Sequence, residues 1–215
     1  MDRRKALRNM GLTLGYVVAT PTLLSLVQSC KQEKAITWTP TFLSQDAGNA
    51  LAHLVDIILP KTDTPSATEV NVHIFIDRFA QEVMEPEQQA IFKMSMGKFL
   101  EKALVDSKKE TMAELEPADL EPILAKALKI TKEEEINNME LISSYTEAIK
   151  EGKAAELDDE LSRFAFANNH RGLTIWAYKS SEYVGENVLA YLPVPGEYIS
   201  CGDLNELTQG KAWSI

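Results

Sequence analysis

The 215 residues include only two cysteines and three histidines, and each scarcity closes a class of chemistry. Cys30 and Cys201 cannot supply an iron–sulfur cluster, and no Cys-x-x-Cys-His is present to attach a haem. His53, His73 and His170 fall in separate segments, whereas a zinc site needs two such ligands to converge with a carboxylate. None of the ten glycines is spaced Gly-x-Gly. The turn that lets backbone approach a dinucleotide pyrophosphate is therefore missing, as is a Walker loop. Gly-x-Ser-x-Gly and His-Glu-x-x-His are also absent. The expectation is no catalytic, cofactor-binding or metal-binding residue in this chain, and no enzyme on its own.

Two local pairs could still move a proton or hold a metal. His53 and Asp56 are three apart, and His73 and Asp77 four apart, so each pair shares a helix face. Exposed or capped surface pairs are the simpler reading. His170 lies in Asn168-Asn169-His170-Arg171-Gly172, which reads as a polar helix end or a contact surface.

What is present first concerns transport. Arg3 and Arg4 sit beside Lys5 and Arg8, ahead of a 17-residue apolar run, Gly11 to Val27. A charged start, a modest apolar stretch and a small residue before a cysteine predict an export signal over residues 1–29. The adjacent arginines point to the twin-arginine route, which carries folded proteins. As a helix the run would span roughly 25 Å, short of the ~30 Å hydrocarbon core, so a processed signal is expected rather than a retained span. Leu26 and Ser29 fit a lipobox before Cys30. Acyl chains there, at ~0.8 kcal/mol per buried methylene, would anchor the mature chain to a membrane. The alternative is ordinary cleavage near Ser29 and a soluble product. Either way the expected compartment is the periplasm.

Of 22 basic and 32 acidic residues, four and one belong to residues 1–29, which leaves 18 and 31, a net of about −13. Such a surface repels phosphate backbones, so nucleic acid is excluded as a partner. With Cys30 lipidated, Cys201 is the one remaining thiol in an oxidising compartment. It is either a buried free thiol or half of a disulfide to another chain.

Residues 30–43 are expected as the lipidated cysteine and a polar tether, and residues 44–215 as a single all-α domain of five to seven helices. Ser44 caps a first helix reaching Leu59, ended by Pro60; residues 61–67 form a turn. A second helix is expected from about Glu69 to Val83, with Val72, Ile76, Phe79 and Val83 aligned. Pro86 and Pro117 open the third and fourth. The polar stretch 131–157 permits a solvated helix. Another starts at Asp158 or Asp159 and reaches at least Gly172, burying Leu161, Phe164 and Ala165, and a further helical stretch runs from Leu173 to about Leu189. Beyond it Pro193, Pro195 and Gly196 impose an irregular C-terminal tail. Tyr191, Pro193, Pro195, Gly196, Tyr198 and Cys201 combine aromatics with fixed backbone, and Pro195-Gly196 suits a type II turn. These six are the candidate partner interface; packing onto the tail's own domain is the competing use.

Two stretches carry a resemblance. Asp56 to Ala67 (DIILPKTDTPSA), followed by Val70 and Phe75-Ile76-Asp77, resembles the gluconate 2-dehydrogenase subunit 3 family. So does Ser181-Glu182-x-Val184-Gly185 followed by Pro-Val-Pro-Gly-x-Tyr-x-x-Cys at 193–201. The twin-arginine leader is similar too. Ser66 departs from the family's frequent glycine, Cys30 from its many members that are not lipoproteins, and 131–157 looks like an insertion. The resemblance implies a non-catalytic small subunit that escorts, stabilises and anchors a large FAD-dependent dehydrogenase of the glucose–methanol–choline type. Candidate activities for that partner are gluconate 2-dehydrogenase and glucoside 3-dehydrogenase. It further implies FAD in the partner rather than here, and a c-type cytochrome as a further component. The alternative is a free-standing periplasmic lipoprotein that binds a ligand in a helical groove.

Overall fold

The computed structural model describes residues 38–194, 196, 197, 199 and 201–214. Arg3, Arg4, Cys30, Pro195 and Tyr198 lie outside the described residues, and with them the leader, the lipobox and the turn expected at Pro195-Gly196. The domain is all-α. Among the described residues there is no strand, only a single bridge between Ala190 and Trp213.

Local chemistry sets most helix ends. Helix α1 (Gln45–Ile58) begins where the Ser44 hydroxyl accepts from the Ala47 amide at 3.3 Å, and it buries Leu51, Leu54 and Val55. Helix α2 spans Val72–Glu82 rather than starting near Glu69. Asn71 adopts a left-handed conformation (φ 61°) that a helix cannot continue through. In α3 (Pro86–Ser107) and α4 (Pro117–Leu128) proline takes the first position, where its missing donor costs nothing. Reciprocal caps support both starts, Glu85 with Gln88 and Glu116 with Asp119. Thr131 and Glu134 form the same box ahead of α5 (Lys132–Lys150), a helix with no buried residue.

Asp158 caps α6 (Asp159–Lys179), which runs unbroken through Gly172 where two helices were expected. A mid-helix glycine costs only ~1 kcal/mol, and the face carrying Phe164, Phe166, Ala167, Thr174, Ala177 and Tyr178 is buried across it. Leu161 and Ala165, expected inside, are only half buried. A π-helical turn (Val184–Val188) and a short helix α7 (Leu204–Thr208) follow.

The core lies where α6 meets α1, α2, α3 and α4. Phe166 touches Phe92 and Phe99 with ring centroids 5.9 and 5.1 Å apart, and Leu51, Leu54, Ile76 and Leu120 are fully buried around them. Phe79 and Val83, expected on the core face of α2, turn away from it; Val83 is 59% exposed. Trp38 to Leu43, assigned to the tether from sequence, are folded onto the domain. Phe42 is part of the core, and a Cβ on buried Gly48 would stand 2.3 Å from Pro40 Cγ.

Candidate partner-binding site

The turn after α1 is built by side chains that bond across it. Asp56 accepts from the Thr68 amide at 2.8 Å and the Thr68 hydroxyl at 2.6 Å, so its carboxylate fastens the turn and is not the partner of His53. The Ser66 amide donates to Glu69 at 3.0 Å, and Glu69 also pairs with Lys61. Ala67 N–H reaches the Leu59 carbonyl, returning the chain to the end of α1. From the far side, the Tyr178 hydroxyl donates to the Pro65 carbonyl at 2.8 Å. That bond joins α6 to the turn over 113 residues of sequence.

Asp77 does comparable work one helix later. Its buried carboxylate accepts from the amides of Thr41 (2.6 Å), Phe42 (3.2 Å) and Leu43 (3.0 Å) and from the Thr41 hydroxyl (2.8 Å). It therefore holds the segment entering α1, not a proton shuttle with His73. His73 packs edge-on against Trp38, with centroids 5.1 Å apart, and its Nδ1 is buried without a hydrogen bond. Burial pushes its pKa down, opposed by the charge of Asp56.

His170 differs most from the sequence reading. It is completely buried at mid-helix and stacks on Phe166, with centroids 5.4 Å apart. Neither ring nitrogen makes a hydrogen bond of normal geometry, and neighbouring Thr174 Oγ1 is also unpartnered. Burial lowers its pKa to about 4, against a small opposing pull from the Leu54 backbone. The neutral imidazole is thus a core side chain.

On the outside of α2 and α6 three aromatic rings meet. Phe75, Phe79 and Trp176 contact one another with centroids 5.2 to 6.0 Å apart, yet Phe75 and Trp176 remain 40% and 43% exposed. Beside them a groove of about 580 Å³ is lined by Val70, Ile74, Phe75, Phe79, Val83 and Ala177, with Arg78, Glu82 and Glu182 among its charged residues. Val70, Asn71, Ser181 and Glu182 also line the next depression, of about 610 Å³, together with Lys61 to Pro65 and Tyr183.

Residues 45–196 match the family model described as gluconate 2-dehydrogenase subunit 3. The chain belongs to the gluconate 2-dehydrogenase subunit 3 family. Neither a curated protein nor a solved structure matches it. The family is named for a subunit of gluconate 2-dehydrogenase, which implies association with a larger dehydrogenase complex.

In this family member, the two stretches that carried the resemblance come together in space. Lys61 to Pro65 from the first and Ser181 and Glu182 from the second line one depression, although more than a hundred residues separate them. Tail residues Tyr191, Pro193, Gly196 and Cys201 are exposed, as are Leu192, Val194 and Ile199. The tail is tied at its base, where Ala190 N–H donates to the Ala212 carbonyl (2.8 Å) and Ser214 N–H to the Ala190 carbonyl (2.9 Å). Its described apolar side chains thus point largely outward. Sequence reasoning missed the Phe75–Phe79–Trp176 cluster, although the i, i+4 spacing of the two phenylalanines places them on one helix face. Among the described residues no three His, Cys, Asp or Glu side chains stand close enough to hold a metal. No described helix is long and apolar enough to cross a membrane.

Proposed function

We propose that this chain is the non-catalytic small subunit that escorts, stabilises and anchors a periplasmic FAD-dependent dehydrogenase of the glucose–methanol–choline type. The partner oxidises a sugar or sugar acid, as a gluconate 2-dehydrogenase or a glucoside 3-dehydrogenase would. The family match over residues 45–196 carries this reading. The outward apolar residues of the tail support it, because a lone subunit has no reason to expose Tyr191, Leu192, Val194 and Ile199 together. FAD belongs to the large subunit, a c-type cytochrome relays the electrons, and lipid on Cys30 holds the assembly at the membrane.

The twin-arginine leader makes the escort role testable. Deleting Arg3 and Arg4 in cells that make both subunits is expected to strand the flavoprotein in the cytoplasm. Dehydrogenase activity assayed in the periplasmic fraction should fall to background, and undiminished activity there refutes the escort.

Cys201 is exposed, so the buried-thiol use is excluded, and the proposal takes the other use, a disulfide to the partner chain. Non-reducing electrophoresis of the purified complex should show one band of summed mass that splits on reduction. Separate bands without reductant would end this part of the reading.

One observation favours the ligand-binding alternative. A cavity of about 510 Å³ lies between α3, α4, α5 and α6, with Ile123, Leu161 and Phe164 inside and Lys102, Lys126 and Arg163 among its charged residues. Purification from its native membrane separates the two readings: a yellow flavoprotein partner supports the first, a lone chain with a bound small molecule the second.

A further inference from the structure

The aromatic cluster on α2 and α6 has the construction of an anchor site. Two of its rings are about two-fifths exposed while packing on each other and on Phe79, so their positions are set before any partner arrives. Rigid aromatics offer large contact area at low entropic cost, and such residues dominate interface energetics. The floor beneath is also fixed. Asp77, on the inner face of α2, is bonded to the chain entering α1, and Tyr178, near the end of α6, is bonded to Pro65. Preorganisation of this kind removes part of the cost of binding.

Charge selects what can sit there. Among the charged residues lining the groove and its continuation along the 61–65 turn, Lys61 is paired with Glu69. Asp63, Glu82 and Glu182 then outnumber Arg78, giving an acidic rim around an apolar centre. Continuity adds a further constraint. Glu182 and Tyr183 lead directly into the π turn, where Gly185 approaches the Ser214 hydroxyl at the base of the tail. One surface therefore runs from α2 to the exposed tail.

We propose that this surface seats an apolar ridge of the large flavoprotein subunit flanked by basic side chains, with Phe75 and Trp176 as its anchors. The assignment rests on the accessory-subunit reading and names where on the chain that subunit docks.

The test uses the full small subunit and the FAD-containing subunit co-purified with it, separated under reductant, then recombined with reductant present in a titration followed by flavin absorbance in the bound fraction. Phe75→Ala with Trp176→Ala should weaken the complex by about thirtyfold or more, the scale of hot-spot residues. Both side chains are substantially exposed, so the helical circular dichroism of the variant should match the wild type. Glu82→Lys with Glu182→Lys should slow association strongly at low salt and progressively less as salt screens the rim. Ile136→Ser with Met139→Ser, on the exposed α5, is the control and should bind as wild type. A folded Phe75→Ala, Trp176→Ala variant that binds like wild type overturns the docking site and leaves the accessory role intact. Equal weakening by the α5 control overturns it as well. A wild-type chain with which no FAD-containing subunit co-purifies overturns both. A small subunit that dimerises alone through Phe75 and Trp176 assigns the surface to a second copy and refutes the proposal.

Discussion

Replacing Asp77 by alanine should lower the stability of the domain by about 3–5 kcal/mol, because three backbone amides and a hydroxyl lose their acceptor at once. A hydrogen bond to a charged group contributes more than a neutral one, and each donor left buried without a partner costs ~1–3 kcal/mol. Phe42 is buried with its amide bonded to this carboxylate, so its ring would lose its hold on the core when the segment detaches. For a domain of this size the change corresponds to roughly 6–20 °C in melting temperature. Asp77→Asn should lose less, since one acceptor oxygen survives while the new amide confronts the N–H groups. Thermal melts of the two variants beside wild type would settle the matter. An alanine variant melting within about 2 °C of wild type would mean that the 38–43 segment is held by its apolar contacts alone.

Acid should weaken the fold through His170. Its pKa is depressed to about 4 in the folded chain and is near 6.5 when unfolded. Between these values the unfolded chain binds the proton and the folded chain does not, so stability falls as pH drops through that window. The loss is complete below the folded value and amounts to about 3 kcal/mol. His73, also depressed by burial, acts in the same direction. The carboxylates of Asp119 and Glu134, whose pKa values are lowered by their bonded partners, weaken the fold at lower pH as well. A comparison with His170→Leu therefore isolates the histidine. Urea unfolding of both proteins at neutral pH and near pH 4 should show a smaller acid-induced drop in the leucine variant. Equal drops would show that His170 is protonated in the fold, or that acid acts elsewhere.

Most helix starts were legible because their causes are local. Ser44, Pro86, Pro117 and Asp158 each act within about one turn of the helix they start, and the signals are read from adjacent residues. The solvated nature of α5 was equally plain in its composition. What escaped depends on contacts distant in sequence. The pairs His53–Asp56 and His73–Asp77 invite a local reading by their spacing, yet Asp56 bonds 12 residues away and Asp77 34 to 36 away. His170 sits among polar neighbours on a helix whose opposite face is exposed, so periodicity could not reveal that its own side is buried. Two helical stretches meeting after Gly172 were expected, but one helix runs through it, because packing on both sides outweighs glycine's poor helix preference. The proposed docking surface was half visible. Its tail was marked by proline and aromatics, whereas Trp176 joins Phe75 and Phe79 only after α6 folds beside α2.

The paired bonds between Ala190 and residues 212–214 have a mechanical result. A segment closed on itself at Ala190 cannot trail into solvent like a free streamer. The stretch between becomes a handle, already bent when grasped, and pulling on it loads the last turn after α6 rather than merely straightening slack polypeptide.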